Sequence, residues 1–308
     1  MVGAGFGDVP VVGVRIGVAD ALNEQPGFTV NRRRLLTLGL QTVVVTDAIA
    51  MMSRSLAVRE RTPGDATRLA ERLVREWSAT EARGFGAALD FVDHACEEMC
   101  AVPVARDDAP RVGIVGEIYV KHSAFANHHL ADWLIGQGIE PVIPPLASFF
   151  AQEPINATVN RAAGLDSRRL VPALARVVDV GLARLFVGLN RRLERFGYPV
   201  HFPVPGELAA KASRILSLTH QYGEGWVLGG EIVDMAEQGV TRVVCLQPFG
   251  CIANQVIARG IESRLREAHP SLELLYVDLD HNTSNANLFN RLELLIAPPL
   301  DARLPIAI

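Results

Sequence analysis

The chain has few cysteines and few aromatic residues. Four cysteines among 308 residues are too few for a disulfide framework, so the composition favours a reducing, cytoplasmic setting. The first residues lack a basic stretch followed by an apolar one, and no secretory signal is expected. No block of lysine and arginine with interleaved aromatics occurs, and the net charge is −4. We therefore expect no nucleic-acid partner.

Several catalytic motifs are also missing. Neither Gly-x-Gly-x-x-Gly nor Gly-x4-Gly-Lys-Ser/Thr occurs, so nucleotide hydrolysis lacks its usual phosphate-binding loop and no ATPase motif is present. The sequence has no His-Glu-x-x-His, no Cys-x-x-Cys and no convincing Ser/His/Asp constellation. Zinc-protease and hydrolase functions therefore have no support from the residues.

One apolar stretch, Leu35–Ser53, is nearly long enough to span a bilayer. The sequence has no second stretch of this kind, and a carboxylate in the middle of a membrane is energetically costly. These points favour a buried or subunit-facing helix, and we expect no membrane partner. The polar residues within the stretch include Gln41, Thr42, Thr46 and Asp47.

The first third of the chain is predicted to be mainly helical, with 1–106 as its bounds. A short β-type run, Val9–Ile16, comes first, and apolar residues then recur at helical spacing from Asn31 to about Cys100. The spacing is interrupted at residues 62–65, where Thr62 is the expected N-cap of a helix with Pro63 in its first position.

The second part, residues 107–300, is predicted to be an α/β domain. It follows a polar connector and begins with the buried-strand pattern 111–116. Further strands are expected at 140–143, 242–246 and 272–279, with helices between them. Strands alternating with helices imply right-handed βαβ units and a parallel sheet.

Three strand-end loops carry unusual residues. They are 116–123, 245–251 and 278–284. Because parallel strands bring their carboxyl ends to one edge, and ligands of such sheets bind there, we expect these loops to converge on one rim.

The first of these loops offers hydrogen-bond donors to a phosphate, from Tyr119, Lys121 and Ser123. Glu224 lies in a glycine-rich segment before a predicted helix, which suits either an anion site or a plain helix start. Asp278 and Ser284, at the end of the last strand, suit either a cation or helix capping.

The most informative stretch is Cys245-Leu-Gln-Pro-Phe-Gly-Cys251, which follows the apolar run of a strand. Thiolates are the usual ligands of iron–sulfur clusters and soft metals. Buried cysteine is also a common small apolar residue. The residues alone leave metal binding, a dithiol redox pair and structural packing open. A second pair, Cys96 and Cys100, lies on one helical face and is predicted to be structural.

A set of short motifs resembles a known family. Taken in order, they are similar to the C-terminal region of acyl-CoA dehydratase activase-related proteins, whose modules resemble subunits of 2-hydroxyacyl-CoA dehydratases. The most specific motif is Gln-Pro-Phe-Gly-Cys, and the likeness runs from about residue 5 to about 297. The motifs are Gly7–Val11, Asn23–Phe28, Thr62–Asp65, Gly116–Lys121 with Asn127, Gly223–Trp226, Cys245–Cys251, and Ser284 with Asn287, Asn290 and Arg291.

The resemblance implies a flavodoxin-like, doubly wound α/β domain and a [4Fe–4S] cluster, with Cys245 and Cys251 as candidate ligands. It implies a lyase-type reaction on an acyl-CoA, with an ATP-dependent activator as electron donor. The strand-end loops would form the substrate cavity. Its candidate residues are Glu117, Tyr119, Lys121, Ser123, Glu224, Asp278 and Ser284.

The chain departs from the family in having too few cysteines at the loop for a full cluster. Family members carry a first α/β domain with further cysteines, upstream of the point that matches Met1, and residues 1–106 resemble the tail of that domain. We therefore expect the chain to need a cysteine-bearing first-half domain or subunit. The alternative is a non-catalytic subunit or scaffold with structural cysteines.

Overall fold

The computed structural model describes residues 31–80, 84–165, 171–280 and 285–297. The predicted strand at Val9–Ile16 and the two family-like stretches before residue 30 lie outside these ranges. The described parts of the first hundred residues are mainly helical, as predicted, and the later part is α/β.

The helical part consists of α1 (Arg32–Ala57), α2 (Asp65–Ala79) and α3 (Phe85–Cys100). Their apolar faces form one core, with Val44, Met52 and Leu73 fully buried. This core also takes in side chains from beyond residue 106, among them Ala147 and Phe186. The helical core is therefore not confined to 1–106, and the domain division at that residue stays a prediction.

The described residues of the α/β part form four strands. Their bounds lie within two residues of those predicted, and the two central strands are apolar runs that end at Gly116 and Pro248. The strands are β1 (Arg111–Gly116), β2 (Glu140–Val142), β3 (Arg242–Pro248) and β4 (Glu273–Leu279).

The remaining helices connect these strands or flank them. Two further turns have other helical geometry: a 3-10 turn at Glu194–Phe196 and a π-helical segment at Ala253–Ala258. The α-helices are α4 (Ile118–His122), α5 (Leu130–Gly136), α6 (Leu146–Ala151), α7 (Glu153–Ala162), α8 (Val171–Leu193), α9 (Pro205–Ser213), α10 (Gly225–Glu237), α11 (Glu262–Ala268) and α12 (Asn285–Ile296).

All four strands are parallel, in the order β2-β1-β3-β4. Alternate residues of β3 enter separate cores on the two faces of the sheet. Val243 and Cys245 pack with α9 and α10, whereas Val244 and Leu246 pack with α5 and α12. The sheet is thus covered by helices on both faces, which explains why its strands are continuously apolar.

The predicted cap of α2 was wrong. The helix begins at Asp65, and its N-cap is Gly64, whose φ is 90°. The carboxylate of Glu60 accepts hydrogen bonds from the N–H groups of Gly64 and Ala66. The side chain of Glu60 therefore caps this helix, a role that the sequence predicted for Thr62.

Helix α1 is the one described helix long and apolar enough to cross a membrane. In the fold it packs against α2 and α3, and its Asp47 reaches α6. The Oδ2 atom of Asp47 accepts a hydrogen bond from the N–H of Ala147, at 2.8 Å. Burial raises the pKa of Asp47 to about 6, although the N–H groups of Ala147 and Leu146 act against this.

A buried arginine joins the helical part to the sheet. Arg59 forms an ion pair with Glu140 of β2 at 2.8 Å, and both side chains are almost fully buried. Its Nε donates to the carbonyl of Asp107 in the connector, at 2.8 Å. Its guanidinium also lies 4.5 Å from the ring centre of Tyr198. One side chain thus touches both units and the connector between them.

We predict that Asp47→Asn changes how stability depends on pH. The folded-state pKa of about 6 lies above the ordinary value of 3.8, so the folded chain binds more protons between pH 4 and 6. Asp47 therefore lowers the free energy of unfolding as the pH rises through that window, by about 2–3 kcal/mol. Asparagine keeps an oxygen for the Ala147 N–H but does not titrate.

The measurement is urea unfolding of both proteins at several pH values. The free energy of unfolding of Asp47→Asn, relative to that of the wild type, is expected to increase from pH 4 to pH 6 and then to stay constant. A constant difference across that range would contradict the assigned pKa.

Candidate functional site

The sheet has one point where the direction of its connections reverses. The chain leaves β1 toward β2 on one side, and leaves β3 toward β4 on the other. In open parallel sheets, the crevice beyond the carboxyl ends at such a point is the usual binding position. We call the segments around it, Gly116–Tyr119, Tyr222–Glu224 and Pro248–Ile252, the switch-point rim.

Backbone and side-chain hydrogen bonds hold the rim segments together. The N–H of Glu117 donates to the carbonyl of Leu246, at 2.9 Å, across the two central strands. The N–H of Ile118 donates to Glu224 Oε1, at 2.6 Å. The N–H of Phe249 donates to the carbonyl of Leu279 at 3.1 Å, which adds the end of β4.

Two predicted cavity carboxylates cap a helix. Glu117 Oε2 accepts from the N–H of Val120, at 2.9 Å, and Glu224 accepts from Ile118 as described. Both bonds satisfy N–H groups of the first turn of α4, which has no earlier carbonyls to use. Glu224 is buried, and this burial raises its pKa. These carboxylates therefore fix the loop after β1.

Two other predicted cavity residues lie inside the fold. Lys121 is 2% exposed, and its Nζ lies 3.2 Å from both carboxylate oxygens of Glu231 on α10. Burial raises the pKa of Glu231, and the Lys121 charge opposes that shift. Ser123 is half-buried, and its Oγ accepts from the N–H of Ala126, at 3.3 Å.

At the end of β4, the carboxylate of Asp278 accepts hydrogen bonds from three side chains. Its carboxylate accepts from the Nε2 atoms of Gln247 and Gln255, and Arg259 Nη2 lies 2.9 Å from Oδ2. Gln247 is fully buried, and its Oε1 has no hydrogen-bond partner among the described residues. The sequence did not single out these donors, because nothing local marks their pairing with Asp278. Ser284 lies outside the described residues.

The rim segments carry exposed apolar side chains. Tyr119 is 64% exposed, Tyr222 82%, Phe249 78% and Ile252 68%. Single exposed apolar residues are common on protein surfaces, whereas groups of them around a crevice mark interaction sites. The π-helical segment Ala253–Ala258 follows directly, and such segments are frequent at functional sites.

The two cysteines of the loop lie in different surroundings. Cys245 is fully buried in β3, in the core that also contains Val115 and Tyr276. Burial raises the pKa of the Cys245 thiol well above its usual range, which disfavours the thiolate that a metal needs. Cys251 is half-buried and belongs to the rim.

The second cysteine pair lies on α3, in the helical part. Cys96 is buried, and its Sγ lies 3.7 Å from the carbonyl of Arg192, whereas Cys100 is exposed. Within the described ranges, no group of three or more His, Cys, Asp or Glu residues is placed to hold a metal ion. The donor set of these residues therefore does not fit a cluster site with all its ligands in this chain.

A comparison of the chain with protein-family models, curated proteins and solved structures found no significant match.

We predict that Gly116→Ala disrupts the rim. Gly116 has a φ of 127°, and a Cβ added there would lie 1.9 Å from the carbonyl oxygen of Leu246. Both the backbone conformation and the space thus require glycine. We expect a loss of at least ~2 kcal/mol in the free energy of unfolding.

The matched control is Gly136→Ala on α5, where an added Cβ would meet nothing within 4 Å. Denaturant unfolding is expected to show an unchanged or slightly raised stability for this control. Equal effects of the two substitutions would contradict the close approach of β1 and β3.

Proposed function

We propose that this chain is one component of a two-part assembly related to the 2-hydroxyacyl-CoA dehydratases, with its switch-point rim covered by a second α/β unit. Its strand order, 2-1-3-4, is compatible with a flavodoxin-like, doubly wound sheet. The proposed setting is the cytoplasm, where thiols remain reduced.

The observation that carries this proposal is the set of exposed aromatic and aliphatic side chains on the rim. The centres of protein interfaces are enriched in such side chains and depleted in charged ones. Phe249 and Ile252 flank Cys251 and are largely exposed. A partner on this face would bury them and enclose the crevice between β1 and β3.

The proposed partner is the cysteine-bearing first-half domain or subunit that the motif resemblance implies. An acyl-CoA would then occupy the seam between the two units, and an ATP-dependent activator would act on the complete assembly. If the assembly is catalytic, its reaction is the lyase-type dehydration of an acyl-CoA. Glu117 and Glu224 hold the loop after β1 in place, and in this proposal that loop would form part of the seam.

We predict that charges on the rim weaken partner binding. The variant Phe249→Asp/Ile252→Asp places two carboxylates where the apolar contact is proposed. The measurement is binding of the purified chain to cysteine-bearing α/β proteins encoded by neighbouring genes, by size exclusion and calorimetry. We expect at least a tenfold loss of affinity, which is about 1.4 kcal/mol or more.

The matched control is Leu294→Asp on α12, which changes a side chain that is 78% exposed but away from the rim. It is expected to bind like the wild type. Unchanged binding by the rim variant, or failure of every such neighbouring protein to bind, would contradict the proposal.

We retain the [4Fe–4S] cluster in the proposal only as a group whose ligands come from both this chain and its partner. Cys251 is the candidate ligand on the rim, and the other thiolates would come from the partner. When bound, such a cluster supplies one-electron chemistry. Cys245 would join it only if the core around β3 rearranged, since its thiol is fully buried.

The iron prediction is tested by anaerobic co-expression with the partner in the presence of iron and sulfide, followed by visible absorption and iron counting. We expect iron in the complex and its loss in Cys251→Ser. The control, Cys100→Ser, removes an exposed thiol of α3 and should retain the iron.

An iron-free complex would instead favour the alternative, a non-catalytic subunit or scaffold with structural cysteines. The burial of Cys245 is the observation that favours this alternative. In that case Cys245→Ala would cost stability but leave partner binding unchanged.

A further inference from the structure

A second cleft lies away from the rim, between the helical part and the loop region after β1. It measures about 570 Å³ and is lined by α1 and α2 on one side and by α4 and α5 on the other. Pockets of this size hold small organic molecules. The proposed assembly uses none of its lining residues apart from the buried Lys121.

Cations outnumber anions in the wall, but most of them are paired. Lys121 is bound to Glu231, and the exposed pairs Arg75–Glu71 and His129–Asp132 have closest distances of 3.7 and 3.1 Å. The charged and titratable groups of the wall are Arg54, Arg75, Lys121, His122, His129, Glu71 and Asp132.

Arg54 differs from the others. Its side chain is half-buried, yet among the described residues its guanidinium donates no hydrogen bond and forms no ion pair within 4 Å. The carboxylates that attract it, Asp47 and Glu140, are bound to Ala147 and Arg59 respectively. Burial lowers the pKa of Arg54 to about 10, so the group is still charged at neutral pH.

Arg54 is half-buried, and none of its nitrogens is both buried and without a partner, so its guanidinium N–H groups reach the open space of the cleft. Five N–H donors with no acceptor among the described residues are therefore available to a ligand there. The rest of the wall combines uncharged polar side chains with apolar ones, which include Ile49, Val74 and Ile135. A ligand that suits both features has an anionic head with two or more oxygens and an apolar body. Arginine binds such heads, carboxylate or phosphate, through two parallel hydrogen bonds.

We infer that this cleft is a binding site for a small amphiphilic anion, with Arg54 as the residue that binds its head. The apolar side chains of α1, α2 and α5 contact its body. The site does not depend on the partner proposed for the rim.

The test uses hexanoate and hexyl phosphate as probes, with hexanol as the uncharged control, and measures binding by calorimetry and by the shift in Tm. We expect saturable binding of at least one anion and at least tenfold weaker binding of hexanol. Binding of hexanoate alone would assign a carboxylate ligand, and binding of hexyl phosphate alone a phosphate ligand.

The diagnostic variant is Arg54→Met, which keeps an apolar stem and removes the charge. It is expected to weaken anion binding at least tenfold while raising the Tm of the ligand-free protein, because an unpaired charge is removed. A merely structural arginine would lower that Tm instead. Arg68→Gln on α2, an exposed arginine paired with Asp65 outside the cleft, should change neither quantity.

A second variant keeps the inference testable if Arg54→Met does not fold. Ala70→Phe fills the cleft from α2 without touching the charge, and it should abolish anion binding. Absence of saturable anion binding by the wild type, equal binding of hexanol, or full binding by either variant would overturn the inference.

Discussion

One buried side chain joins the helical part of the chain to the sheet. Arg59 has Glu140 of β2, the carbonyl of Asp107 and the ring of Tyr198 around its guanidinium. Removing one partner of an ion pair this deeply buried is strongly destabilising, because it leaves the other charge uncompensated. Because Glu140 begins the edge strand β2, this contact fixes the helical part at one side of the sheet. The cleft around Arg54 lies between these parts, lined by α1 and α2 on one side and by α4 and α5 on the other.

The strands and most helices followed from the sequence because their signals are local. An apolar run ending in glycine marked β1, and similar runs marked β3 and β4. Capping was less predictable, since Glu60 reached α2 from outside the segment that was considered. The residues beyond 106 that enter the helical core were not predicted. Phe186 and Ala147 are apolar residues like many others, and only the tertiary fold decides which core they enter.

The rim was predictable as a place but not in its details. Parallel topology alone brings the strand ends together, and the loop after β1 does contact the end of β3 through the Glu117–Leu246 hydrogen bond. The pairing of Lys121 with Glu231 spans 110 residues, and no local pattern marks such a pair. The same holds for Asp278 with Gln247 and Gln255. Residue types identified groups capable of chemistry, whereas the structure showed that several of them are engaged in holding the fold.

The hydrogen bond between Asp47 and Ala147 has a consequence for how the chain is made. Its two ends are 100 residues apart, and ribosomes add roughly 5–20 residues per second. During synthesis, α1 therefore waits on the order of 5–20 s for the helix end that its carboxylate caps. Helices α2 and α3 are made first and cover part of α1, so during that interval α1 lacks the part of its contact surface that α6 supplies. The nascent chain is thus a candidate for chaperone capture or mistargeting at this one stage of its synthesis.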